Sequence, residues 1–382
     1  MLRRDLLKLL GISTSAASLG FAPTLATAGT ENYPKRLGII ILEGGMDGLA
    51  SVPPIGDKKL FDHRPDLIDQ TMFEINSDFG ISSSFENFYS LMGAGEASVV
   101  HASAFPYIRR SHFEGQNVIQ GGLETPFSTD TGWLGRALAE IGMPGRTLSL
   151  SQPLVTRGYS EIETVYPARI HGAKSINQSA LEVLSKLSSG SLKDSLMKVE
   201  KSISDGTIDL PRDPISLAFT AGQAMAQPNG PISSVIYVRG FDTHAQQGSS
   251  GGPHQANLRK LDSIFKAYKE GLGDRWDQTV IMTITEFGRT VKMNGSHGTD
   301  HGYGTATLLA GGLLREGTVL TEWPGLNNDK LFERRDLMAT VDLRSIMCAA
   351  IEATLDIPHE HSSKEIFQDS TISNIGKYLF AS

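Results

Sequence analysis

Apolar runs rich in β-branched residues recur along the chain at 36–42, 97–102, 233–238, 279–284 and 305–310. The first, Arg36-Leu37-Gly38-Ile39-Ile40-Ile41-Leu42, stops at Glu43-Gly44-Gly45. Such runs predict strands buried on both faces, as in a parallel sheet. Between two of them, Leu258, Leu261, Ile264, Phe265 and Tyr268 recur at spacings of three and four with Lys and Asp between them. That spacing predicts an amphipathic helix over 258–272 and a right-handed β-α-β crossover. The stretch 174–214 is more polar and rich in Ser and Lys, and predicts peripheral helices carried as an insertion at 175–215. Segments 56–78 and 320–333 read as loops. The pattern as a whole predicts one large α/β domain over 29–382, with a mostly parallel central sheet and helices on both faces.

The first residues read as an address. Met1-Leu2-Arg3-Arg4-Asp5-Leu6-Leu7-Lys8 is followed by a moderately apolar stretch that ends near Leu25-Ala26-Thr27-Ala28. It resembles a twin-arginine export signal over 1–28, the alternative being an amphipathic first helix with an ordinary Arg pair. An exported protein of this kind is periplasmic or secreted and meets the twin-arginine translocase on its way. Cys348 is the only cysteine, so no intramolecular disulfide forms, and its apolar surroundings at 342–351 predict a buried structural thiol on a helix. No other segment reaches the roughly 18 apolar residues of a stable membrane span. A net charge of −7 gives no footprint for nucleic acid or an anionic membrane, which leaves a small molecule or a polymer such as a polysaccharide as the expected substrate.

Carboxylates and imidazoles stand where the predicted strands end. In an open parallel sheet those loops converge on one crevice. Asp47 follows the first strand on a glycine-flanked turn, either as a metal ligand or as a turn Asp bonding its own backbone. Asp242 and His244, in Gly240-Phe241-Asp242-Thr243-His244, point to one side of an extended chain, a spacing suited to a metal. Glu286 ends the 279–284 run, and is either a ligand or the partner of Arg289. Asp300 and His301 lie in Gly298-Thr299-Asp300-His301-Gly302-Tyr303-Gly304, a turn that can bring one or both to the same crevice. Upstream, Ser111 and Glu114 form a capping-box pattern, and Ser111 is also a candidate nucleophile in the positive field of a helix N-terminus. Arg110 and Arg109 can add charge-assisted bonds to phosphate or sulfate oxygens. Tyr107, Arg109 and His112 fit a structural surface equally well.

With these motifs in place, the chain resembles the bacterial family of secreted proteins called DUF1501, grouped with the alkaline phosphatase and sulfatase superfamily. Leu42-Glu43-Gly44-Gly45-Met46-Asp47-Gly48-Leu49, Arg110-Ser111-His112-Phe113, Thr285-Glu286-Phe287-Gly288-Arg289-Thr290 and the two clusters above carry the resemblance. It implies an alkaline-phosphatase-like core and a divalent metal cofactor (Zn, Mn, Ca or Mg). It also implies that Asp47, Ser111, Asp242, His244, Glu286 and His301 occupy the superfamily's site positions. Two departures stand out. The Asp242-to-His244 interval is short, and Glu286-Phe287 replaces an Asp-His pair, so one metal site has lost an imidazole or borrows one from His297 or His254. Ser111 and Cys348 lack the setting that a formylglycine sulfatase needs. The resulting expectation is an exported hydrolase of phosphate or sulfate esters with two metals. Asp47 and Glu286 would hold one, and Asp242, His244 and His301 the other. The competing expectation is a non-catalytic exported protein that binds a glycan or envelope component.

Overall fold

Strand β1 (Arg36–Glu43) is buried along nearly its whole length, and its side chains divide between two cores. Leu37, Ile39 and Ile41 enter one hydrophobic cluster, while Ile40 and Leu42 enter another. Alternation at period two on a strand buried on both faces requires cover on both faces. One side is covered by α3 (His112–Gly121), α4 (Trp133–Ile141) and α7 (Leu343–Leu355). The other is covered by α2 (Glu86–Gly93), α5 (Pro214–Ala226) and α6 (Pro253–Leu272). A one-turn helix, α1 (Gly48–Ser51), follows β1 directly. The computed structural model describes residues 34–149, 152–164 and 213–381. The leader at 1–28 and nearly all of the 175–215 insertion lie outside the described residues.

The main sheet has nine strands. Its order is β10 (Val319–Leu320), β4 (Ala97–Ala104), β9 (Thr305–Ala310), β8 (Thr279–Thr285), β1, β7 (Ser233–Arg239), β5 (Gly145–Thr147) and β6 (Ile162–Thr164), with β11 (Val341–Asp342) also on β4. A separate antiparallel pair joins β2 (Phe73–Glu74) to β3 (Gly80–Ile81). Within the main sheet β9 runs against β4 and β8, and every other pairing is parallel. The carboxyl ends of β1, β4, β7 and β8 and the amino end of β9 therefore share one edge.

All five predicted strands form. The predicted helix begins earlier, at Pro253, whose missing N–H and fixed φ suit a first turn. It links β7 to β8, which flank β1. Cys348 is fully buried on α7, and burial pushes its thiol up to about 12. Among the described residues no helix is long and apolar enough to cross a membrane.

Candidate metal centre

The shared edge gathers residues from four loops. Asp242 and His244 follow β7, Glu286 follows β8, Asp300 and His301 precede β9, and His112 opens α3 after β4. Backbone pairing fixes two of these loops together: Thr290 N donates to Asp300 O at 2.9 Å and Gly302 N to Gly288 O at 2.8 Å, with His301 opposite Arg289. Two glycines allow the remaining loops to touch. A Cβ on Gly44, whose φ is +118°, would stand 2.3 Å from Asp242 N, and one on Gly298 would stand 2.4 Å from the His244 carbonyl. Any larger residue at either place would push the loops apart.

Asp242 is the centre of the cluster. Its Oδ1 lies 3.0 Å from His244 Nε2 and 3.1 Å from His301 Nε2, and its Oδ2 lies 3.4 Å from His112 Nε2. The buried Arg289 reaches the same carboxylate at 2.5 Å. Phe287 packs against the rings of His112 and His301, with centroids at 5.0 and 4.8 Å. The far nitrogens are held as well. His112 Nδ1 bonds Glu286 Oε1 at 2.8 Å, His244 Nδ1 bonds Asp300 Oδ1 at 3.0 Å, and His301 Nδ1 bonds Arg110 O at 2.9 Å.

Glu286 is fully buried and uses both oxygens. Oε1 accepts from Gly44 N at 2.7 Å and from His112, and Oε2 accepts from Gln116 Nε2 at 2.8 Å and Thr285 Oγ1 at 3.1 Å. Its ionic partner is thus His112, and not Arg289 three residues on. Arg289 turns instead to Asp242 and to the carbonyls of Gly44, Gly45, Phe241 and Thr299.

The charges follow this arrangement. The Glu286 hydrogen bond raises the His112 pKa above its ordinary value against the opposing effect of burial, while burial lowers that of His301. Burial alone would raise Asp242, but Arg289, His244 and His112 outweigh it and hold the carboxyl low. The bond from Asn294, helped by His244, lowers Asp300.

Several expected site residues stand elsewhere. Asp47 does not join the cluster. Its two oxygens take Arg64 Nη1 at 2.9 and 2.8 Å, Gln247 Nε2 at 2.6 Å and Ala50 N at 3.2 Å. Arg64 is buried too, so a guanidinium already stands where a metal would have to bind. Glu286 touches the cluster through His112, its lone pairs spent on four hydrogen bonds. Arg110, at a left-handed φ of +59°, directs its guanidinium to Asp336 (2.8 Å) and Glu333 (2.5 Å) and offers the cluster only its carbonyl. Ser111 occupies the N-cap position of α3, yet its side chain makes no cap hydrogen bond. Glu114 accepts from Tyr107 Oη at 2.9 Å, so the capping box does not form. His254 is buried against Ser51 and His297 is exposed, and neither supplies the missing imidazole.

His112 does. The sequence leaves it open between the site and a structural surface, although one signal is present: His112 and Gln116 are four apart on a helix and so share the face that meets a buried acid.

A divalent cation suits these donors. Ligand atoms of His112, Asp242 and His301 lie within 4.8 Å of one another, and His112 Nε2 is buried with no hydrogen-bond partner. An unpaired imidazole nitrogen facing a carboxylate is a ligand set for a borderline metal ion.

Over residues 224–348 the chain is similar to the family described as Protein of unknown function (DUF1501). No curated protein matches it. Similar solved structures include a protein in the alkaline phosphatase superfamily from Vibrio parahaemolyticus, at 12% identity over 84% of this chain and 71% of that one, TM-score 0.39. Another is the soluble domain of lipooligosaccharide phosphoethanolamine transferase A from Neisseria meningitidis, at 6% identity over 90% and 95%, TM-score 0.40. A third is the C-terminal periplasmic domain of EptC from Escherichia coli in complex with zinc, at 9% identity over 74% of each chain, TM-score 0.34. At TM-scores below 0.5 these likenesses assign nothing to the chain, and its chemistry rests on its own residues.

Proposed function

We propose that the chain is an exported metal-dependent hydrolase of phosphate or sulfate esters. One observation carries the proposal: three imidazoles converge on Asp242, and one of them, His112, directly follows Ser111, a serine whose hydroxyl caps no backbone N–H. His112, Asp242 and His301 would hold the ion, with His244 against two of them. A bound divalent cation would supply Lewis acidity to ester oxygens and lower the pKa of a hydroxyl beside it.

The remaining work falls to the chain itself. Ser111 lies one residue before His112, at the positive end of the ten-residue helix α3, where helix N–H groups favour an anionic ester. Its Oγ attacks phosphorus or sulfur as the bond to the leaving oxygen breaks, the hydroxyl proton passing through solvent to that oxygen to give the alcohol, and water then releases inorganic phosphate or sulfate from the seryl ester and restores the hydroxyl. Arg289 keeps Asp242 ionised, and Glu286 keeps the His112 Nδ1 proton in place. Export rests on the Arg3-Arg4 leader, and replacing both arginines with lysine should leave precursor in the cytoplasm.

The test is turnover of aryl phosphate and aryl sulfate by the zinc-loaded protein. Hydrolysis of either ester that is lost in both Ser111→Ala and Ser111→Asp is expected. Turnover by the Asp variant near the wild-type rate would remove Ser111 as nucleophile, and no turnover of any ester would overturn the proposal.

A further inference from the structure

We infer that the cluster is a mononuclear site of the zinc class, built from the Nε2 atoms of His112, His244 and His301 with Asp242, and that Glu286 and Asp300 act behind it as positioning residues. The inference rests on the metal-dependent reading of this site and not on ester chemistry.

Carboxylate and carbonyl oxygens only accept hydrogen bonds, so the Nδ1 atoms that face Glu286, Asp300 and Arg110 O each carry a hydrogen. A neutral imidazole has one N–H, so all three Nε2 atoms present lone pairs, and all three face Asp242. His244 Nε2 and His301 Nε2 stand 2.9 Å apart, a repulsive contact unless something positive is shared between them. Protons alone would have to be two, one shared by that pair and one on His112 Nε2, which is buried without a hydrogen-bond partner. A metal ion relieves all three.

The spacing agrees. Ligands about 2.0 to 2.1 Å from a tetrahedral zinc lie roughly 3.3 Å from each other. The gaps here are 2.9 Å between His244 and His301, 3.0 and 3.1 Å from these to Asp242, and 3.4 Å from His112 to Asp242. Calcium and magnesium instead demand six or more ligands that are mostly oxygen, which three imidazoles and one carboxylate do not supply. Arg289 shares the carboxylate, so binding draws mainly on nitrogen.

Two of the other acids, Glu286 and Asp47, have their acceptors filled, and Asp300 keeps only Oδ2, too few donors for a second ion. Glu286 accepts four hydrogen bonds, Asp47 is paired with buried Arg64, and Asp300 Oδ1 is taken by His244 and Asn294. Glu286–His112 and Asp300–His244 repeat the pairing in which an outer carboxylate fixes the tautomer of a metal-bound imidazole.

The experiment is titration calorimetry of the chelator-stripped protein with zinc, magnesium and calcium chloride, with elemental analysis for stoichiometry. One zinc per chain is expected, bound at least about a thousandfold more tightly than magnesium or calcium. His112→Gln should weaken zinc about a hundredfold or more, and Glu286→Gln and Asp300→Asn each about 10- to 100-fold with the stoichiometry kept. The exposed Asp300→Asn variant decides the matter should either buried-site variant fail to fold. Two equivalents of zinc, a preference for calcium or magnesium, or wild-type zinc affinity in folded His112→Gln or Asp300→Asn would overturn the inference. A protein that binds one zinc tightly but hydrolyses no ester would support it and overturn the hydrolase proposal alone.

Discussion

Asp47 and Asp242 have the same origin and opposite surroundings. Both sit on glycine-containing turns just past the carboxyl ends of neighbouring parallel strands, β1 and β7. Asp47 is 1% exposed and its lone pairs are filled by Arg64, Gln247 and the amide of Ala50. The Asp242 side chain is 43% exposed and meets one guanidinium and three imidazoles, with His112 Nε2 left unpartnered. A carboxylate whose acceptors are saturated by protein donors holds the fold together. One surrounded by unspent lone pairs calls for a cation.

The sharpest way to break this contrast is to remove the partner on each side. Arg64→Ala leaves Asp47 buried and unpaired and should cost about 3–5 kcal/mol in urea unfolding. Asp242→Asn keeps an acceptor oxygen for the buried Arg289, which also holds four carbonyls, and should cost about 1–3 kcal/mol, less than Arg64→Ala, while weakening zinc at least about a hundredfold. Equal stability losses would erase the distinction.

The second test uses pH. His254, beside Ser51 in the Asp47 network, and His101 are buried and lowered to about 4, chiefly by desolvation. A depressed folded-state value means that the unfolded chain binds protons first. Their contribution to stability is therefore complete above about 6.5 and lost as pH falls toward about 4, by roughly 1.4 kcal/mol per pH unit for each histidine. His254→Gln should make the pH dependence of urea unfolding shallower over that window, and an unchanged slope would show that His254 is already protonated in the folded state. Asp47 behaves differently. Burial would raise it, but Arg64, His254 and the hydrogen bonds hold it low, so its contribution persists at pH 5 and is lost only below the ordinary carboxylate range.

The smallest effect is expected at Ser111. Since its hydroxyl caps nothing, Ser111→Ala should shift stability by less than about 0.5 kcal/mol, below the ~1 kcal/mol typical of a true N-cap. A loss of 1 kcal/mol or more would restore the capping account.

Much of the fold was legible because its strands are long and apolar on both faces. Strands β5, β6, β10 and β11 were not, since two or three residues leave no periodic signal. In the site, the strand-end rule brings Asp242, His244, Asp300 and His301 to one edge, where the structure also has them meet. The rule says nothing about which acids already have partners. Arg64, which occupies Asp47, lies 17 residues downstream in a segment that reads as loop. Glu286 and Arg289, close in sequence, part company because a buried strand end leaves the acid facing α3 while the arginine spans the β1 and β7 loops. His112 was missed because a single histidine after a capping motif carries no spacing information until its acid is known.

The most direct measurement is anomalous diffraction at the zinc edge from crystals of the zinc-loaded protein. The account predicts one peak per chain, about 2.0 to 2.2 Å from the Nε2 atoms of His112, His244 and His301 and from an oxygen of Asp242. A peak against Asp47 or the Glu286 carboxylate, two peaks, or none at this cluster would contradict it.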